Sequence, residues 1–354
     1  MNGMKYIVKK YLPRQFTLRL GYCHAILHYI CTGKTKRLPH RLRWTRARKK
    51  EIYYVHQVSC GEIGILSLYR SRLLRMAKKA AKGYQVIVDY EEPSNTDYET
   101  VGMHNLWEDT FEQPCRKRAK EVNSKKNVII EGNLANSADG VLIKVGRNPE
   151  YYRRWKKLAD RIFPIKKSLQ EEFEIYFKEK FKGKKVLGVS LREEFRVMKK
   201  LHSAWSEEHP GEPSIEECIK ITAEKMDEFA YDYLYVTTQY EDTIKRFKKV
   251  FGDKLLYVKR NRASGISEQH KNLILAAQAA ETITDAHVRE NWDQFGGDRK
   301  EIQNNYIKEI YGLSKCESLL GTASGGMAVA LIWNGGKYRD VALFDRSSVK
   351  MTSY

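Results

Sequence analysis

The sequence predicts an α/β protein made of two Rossmann-like, doubly wound domains. Three observations carry this expectation. Short apolar runs alternate with stretches of helical periodicity twice over, first from residue 52 and again from residue 184. Glycine-containing turns follow several of the apolar runs, where strand passes into helix in such sheets. A chain of 354 residues is also too long for one ordinary core and about right for two.

Taken in order, Ile52 to Val58 reads as a strand, and Ser59-Cys60-Gly61-Glu62-Ile63-Gly64 as a turn with two glycines. Ile65 to Lys82 sets Leu66, Tyr69, Leu73, Met76, Ala77 and Ala80 at helical spacing, ends in a Lys-rich turn and meets Gly83 at the C′ position. Tyr84 to Asp89 and Val128 to Ile130 are the next strands of this βαβ beginning. Residues 149–182 are charged and of helical character, and read as a bridge between the two domains. The second run opens with the apolar strand Val186 to Leu191, which ends at Arg192. Ser214-Ile215-Glu216-Glu217, after Pro213, is a capping box that starts a helix leading to the strand Tyr233 to Thr237. A helix from Glu241 to Phe251, a strand Leu255 to Val258, a helix Ile302 to Ser314 and a strand Ser318 to Leu320 follow. The turn Gly321-Thr322-Ala323-Ser324-Gly325-Gly326, an apolar helix to Trp333 and the strand Val341 to Phe344 complete the pattern. The expected division is a basic arm over 1–50, a first α/β domain with the bridge over 51–182, and a second α/β domain over 183–354.

Formal net charge is +20, and its placement matters more than its size. Residues 1–50 hold 14 of the 64 Lys/Arg and none of the 44 Asp/Glu, which leaves the remaining 304 residues a net charge of +6. A uniformly cationic, histone-like protein is excluded. Cys23, Cys31, Cys60, Cys115, Cys218 and Cys316 form no Cys-x-x-Cys pair and no Cys/His cluster at zinc spacing, which argues against a disulfide framework or a structural metal. The most apolar stretch, Leu20 to Cys31, is too short to span a bilayer and contains His24 and His28. It is also a poor signal peptide, and the expected location is the cytoplasm.

The candidate chemistry lies at the strand-to-helix turns. Gly321 to Gly326 follows a strand and opens a helix, so small residues let backbone N–H groups approach an anion, with Thr322 and Ser324 adding hydroxyls. The same pattern also serves as a plain tight turn with Ser324 as N-cap. Arg192 ends the first strand of the second domain, on the edge that faces the ligand crevice, where a guanidinium can hold a diphosphate bidentately; a surface arginine paired with Glu193 or Glu194 is the other reading. Gly61 and Gly64 occupy the equivalent turn of the first domain, with Glu62 between them as either a general base or a solvated carboxylate. There is no Asp-x-Asp pair, no P-loop, no Gly-x-Gly-x-x-Gly and no His-Glu-x-x-His. A diphosphate would therefore be neutralised by Arg192, backbone N–H groups and a helix N-terminus.

Several stretches, in this order, resemble the GDP-fucose-dependent fucosyltransferases of GT-B type, in particular a bacterial O-fucosyltransferase-like group. They are Val86-Ile87-Val88-Asp89 with Asn105-Leu106-Trp107-Glu108 and Phe111-Glu112-Gln113-Pro114; Gly188-Val189-Ser190-Leu191-Arg192; His209-Pro210-Gly211-Glu212-Pro213-Ser214; Asp232 to Thr238; and Leu313-Ser314-Lys315-Cys316 with Gly321-Thr322-Ala323-Ser324-Gly325. The resemblance covers roughly residues 52–346. It implies two domains facing across a cleft, and a metal-independent inverting transferase without a cofactor. Arg192 would grip the diphosphate of the GDP-sugar donor, Glu62 would act as base, and Gly61, Gly64, Ser190, Thr238, Gly321, Thr322, Ser324 and Gly325 would surround the donor. Ser190 stands where the family has His, Glu194 and Phe195 where it has Thr-Asp, and Gln239-Tyr240 where it has an acidic pair. These departures leave open the sugar, and whether the chain is an active enzyme or an inactive sugar-binding relative.

The arm lies outside the resemblance. Phe16, Leu18, Leu20, Ile26, Leu27 and Ile30 stand among basic residues, a composition suited to an anionic membrane surface, where a lipid-linked glycan acceptor of surface-polysaccharide synthesis would be met. A terminal helix packed on the body is the plainer alternative. A nucleic-acid-binding arm is the competing function, but no nucleic-acid-binding motif accompanies it.

Overall fold

A computed structural model describes residues 34–36, 52–59, 64–91, 105–122, 127–131, 149–193, 212–264, 298–345 and 348–352. The chain divides into two compact units, one of Met1–Ser59, Arg75–Trp107 and Gln113–Asn136, the other of Cys60–Leu74, Glu108–Glu112 and Ser137–Tyr354.

The first unit contains a four-stranded parallel sheet. Its strands are β1 (Lys34–Lys36), β2 (Tyr53–Ser59), β3 (Gln85–Glu91) and β4 (Val128–Glu131), in the order β1-β4-β2-β3. Tyr53 pairs with both Gln85 and Val128, and Lys34 with Val128 from the far side. The β2–β3 crossover is helix α1 (Ile65–Ala81), which stops where expected: Gly83 has φ +87°, and Lys78 and Lys79 lie in the last turn. One sheet face buries Tyr53, Val55, Ile87, Val128 and Ile130 under Ala119 and Val122 of a 3₁₀ turn. The outer edge of β3 is closed by two side-chain amides, one on each side of the short helix α2 (Trp107–Thr110) in the chain. Gln113 accepts from Val88 N–H (2.9 Å) and donates to Val88 O (2.7 Å), while Asn105 accepts from Tyr90 N–H (3.0 Å) and donates to Val88 O (2.8 Å). An edge that would otherwise offer unpaired backbone groups is thus satisfied.

The second unit carries a six-stranded sheet: β5 (Val186–Ser190), β6 (Tyr233–Thr237), β7 (Leu255–Leu256), β8 (Ser318–Gly321), β9 (Val341–Asp345) and β10 (Ser348–Thr352), in the order β10-β9-β8-β5-β6-β7. All neighbours are parallel except β10, which runs antiparallel to β9. On one face Leu187, Val189, Leu234 and Val236 pack with Cys218 and Met226 of α5 (Ile215–Glu228) and with Ile244 and Phe247 of α6 (Glu241–Phe251). On the other face Tyr235 meets Phe177 at a ring distance of 5.6 Å, and Gly188 faces Leu313 and Cys316. Phe177 belongs to α4 (Lys167–Lys180) and Leu313 to α7 (Arg299–Leu313). Helices on both faces make the sheet doubly wound, as expected.

The capping box forms at the start of α5, where Ser214 Oγ accepts from Glu217 N–H at 3.1 Å. The stretch 149–182 differs from the expected bridge. Pro164 lies between α3 (Pro149–Ile162) and α4, and Pro164 O instead accepts from Glu112 N–H. Both helices belong to the second unit, with Gly336 against Pro149 of α3 and Tyr311 of α7 against Phe173 of α4. The residues expected to form the bridge thus cluster with the second unit, and Lys34–Lys36, part of the expected arm, is a strand of the first sheet. Among the described residues no helix is long and apolar enough to cross a membrane.

Candidate functional site

The second sheet reverses its build direction beside its first strand. From β5 the chain adds β6 and then β7 on one side, and returns to place β8 and β9 on the other. The connections that leave β5 and β8 therefore part, and the crevice outside the carboxyl ends of these strands is the place where open α/β sheets bind ligands. A pocket lies there, about 280 Å³ of empty space including the part open to solvent. Ser190, Leu191 and Arg192 line it from the end of β5, Thr237, Thr238 and Gln239 from the end of β6, and Ser324 from the turn after β8. Arg260, Tyr306, Glu309 and Ile310 complete the lining.

The expected residues fall into distinct places. Arg192 lines the pocket, and its backbone N–H donates to Glu212 Oε2 at 2.8 Å. Ser190 is buried, and its carbonyl accepts from Thr322 N–H at 3.0 Å. That bond joins the ends of β5 and β8 closely, and a Cβ on Gly321 would come within 2.5 Å of Ser190 O. Ser324 is the N-cap of α8 (Gly325–Asn334): its Oγ accepts from Met327 N–H at 3.1 Å, which leaves the hydroxyl proton for a pocket ligand.

Thr238 lines the pocket, but its hydroxyl is already committed. It donates to Glu193 and accepts from Tyr240 N–H. Thr322 is 0% exposed and does not line the pocket, and its Oγ1 meets no partner. Gly325 is explained by packing, since a Cβ there would come within 2.5 Å of Ser67 Oγ in the first turn of α1. Gly64 accepts from Leu68 N–H at the start of α1, with open space where a Cβ would stand. Gly61 and Glu62 lie outside the described residues.

Two pocket residues carry no signal in the sequence. Glu309, on α7, binds two guanidinium groups, Arg260 Nη2 at 2.9 Å and Arg262 Nη2 at 2.5 Å. All three side chains are enclosed, at 2%, 5% and 1% exposure in that order. Arg262 also donates to Thr238 O, Val258 O and Arg260 O. Arg260 donates to Thr238 O (3.0 Å) and Asn261 O (3.0 Å), but its enclosed Nε–H finds no acceptor. Such an unanswered donor costs about 1–3 kcal/mol. Burial works against the Arg260 charge, but the Glu309 carboxylate outweighs it and holds the pKa above its ordinary value. Among the lining residues the charge is thus two arginines against one carboxylate.

No protein-family model matches the sequence, and no curated protein is similar to it. The structure is similar to several solved ones. Fucosyltransferase NodZ from Bradyrhizobium matches over 85% of this chain and 98% of its own, at 12% identity and a TM-score of 0.49. A NodZ alpha-1,6-fucosyltransferase crystal soaked with GDP-fucose matches over 85% and 99%, at 12% identity and a TM-score of 0.48. POFUT1 in complex with GDP matches over 84% and 99%, at 9% identity and a TM-score of 0.47.

Proposed function

We propose that this protein is a glycosyltransferase that moves a sugar, fucose or a close relative, from a GDP-sugar to a glycan acceptor. The observation that carries the reading is the pocket at the switch point of the second sheet, lined by Arg192 at the end of β5 and by the N-cap Ser324 of α8. A guanidinium, a capping hydroxyl and a helix N-terminus are the groups that neutralise a diphosphate without a metal. As the glycosidic bond breaks, negative charge grows on the departing diphosphate, and Arg192 stabilises it where it forms. Glu62 is the proposed base that takes the proton of the acceptor hydroxyl. The fucosyltransferase-like order of motifs supports the choice of donor. The acid-free segment 1–50 supports an anionic membrane surface as the place where a lipid-linked acceptor is met.

Titration calorimetry with GDP in the presence of a chelator tests the reading. Saturable binding by the native protein and its loss in Arg192→Ala are expected; a folded native protein that takes up no GDP overturns it. A panel of nucleotide sugars, read by release of free nucleotide, then identifies the donor.

A further inference from the structure

We propose that Arg260 is a second cationic contact for the diphosphate, held toward the pocket by Glu309 and Arg262; this rests on the GDP-sugar reading above. Two guanidiniums share the single Glu309 carboxylate, so the three side chains together carry one net positive charge. Arg260 and Arg262 divide the work unequally. Arg262 spends its donors on Val258 O, Thr238 O, Arg260 O and Glu309, and it does not line the pocket. Arg260 lines the pocket and retains an enclosed Nε–H with no acceptor. A buried donor left unanswered in a protein interior needs an explanation, and a bound ligand supplies one.

The charges that line the pocket, Arg192 and Arg260 against Glu309, favour an anion as that partner. Glu309 is the one carboxylate among the lining residues, and it is already shared by two arginines. Glu193 takes the hydroxyl of Thr238 and Glu212 the backbone N–H of Arg192, and neither lines the pocket. The remaining lining groups bear no charge apart from Arg192. Arg192 follows β5 and Arg260 follows β7, so the two cations reach the pocket from separate loops. A diphosphate, with several acceptor oxygens on two phosphorus atoms, is a ligand that two planar guanidiniums can grip together.

The test measures binding of inorganic pyrophosphate and of GDP to the full chain and to Arg260→Gln, with thermal melts as the control for folding. Glu309 keeps Arg262 as partner in this variant. The expected result is affinity for both probes about tenfold or more weaker than in the native protein. Arg260→Lys, which keeps the charge and loses the planar fork, is expected to fall between the two and serves if the Gln variant does not fold. Affinity for both probes within about threefold of native in a folded variant overturns the proposal, as does a native protein that does not bind pyrophosphate. Arg260-dependent pyrophosphate binding without any GDP binding overturns the GDP-sugar reading and leaves the diphosphate contact standing.

Discussion

Glu309 holds two guanidinium groups whose side chains are almost wholly enclosed, so removing its charge strands them both. Glu309→Gln is expected to destabilise the protein by about 3–5 kcal/mol in denaturant unfolding, and Arg260→Gln by clearly less, because the carboxylate then keeps Arg262. Equal losses would mean that the pairs are not shared as described. The two serine caps make a second comparison. Ser214→Ala and Ser324→Ala each remove an Oγ that accepts a helix N–H, and each is expected to cost about 1 kcal/mol. Ser324→Ala alone is expected to weaken GDP binding, since Ser324 alone of the two lines the pocket. The place of Arg192 at the pocket was legible in the sequence because it ends an apolar strand, a position with a known geometric meaning. Arg260 and Glu309 were not, because two charges 49 residues apart become a pair only when the loop after β7 meets α7. Thr322, a hydroxyl in a glycine turn and so expected at the phosphates, is buried by the close approach of β8 to β5 and does not line the pocket.

Helix boundaries were readable at Gly83, which ends a helix with positive φ, and at the capping box of Ser214, whereas α7 starts three residues before the expected Ile302, where Asp298 caps it. The stretch 149–182 was expected to be a bridge, and its charge hid which unit its apolar positions serve. Tyr152, Ile162, Phe173 and Phe177 are buried within the second unit. One polar link from α4 to α7 and the turn after it runs through Glu174, which accepts from Lys315 at 2.8 Å and from the Tyr311 hydroxyl. Burial tends to raise the Glu174 pKa, but these two partners outweigh it and hold it below the ordinary carboxylate value. The contribution is therefore present above the unfolded-state pKa and is lost as pH falls through the lower folded-state one. The stability gap between native protein and Glu174→Gln is expected to narrow from pH 7 toward pH 3 in thermal melts. A gap that stays constant would show that the carboxylate charge contributes nothing.

For the whole molecule, the uneven charge remains the plainest feature of the sequence, and the structure refines where it can be cut. Lys34–Lys36 forms the edge strand beside β4, so a truncation that removes residues 1–50 takes part of a sheet with it. Removing residues 1–30 leaves that strand in place. The shorter truncation is expected to lower binding to vesicles of anionic lipid and to leave GDP affinity unchanged; undiminished vesicle binding would refute a membrane role for the segment. The placement of β1 also bears on time. Lys34 pairs with Val128, so the first described strand of the chain has no neighbour until a segment more than ninety residues later has been made and folded. Parallel pairs of such separation are slow to close. During synthesis the β2–α1–β3 unit is available long before β4, and the basic beginning of the chain waits outside the sheet until β4 offers it an edge.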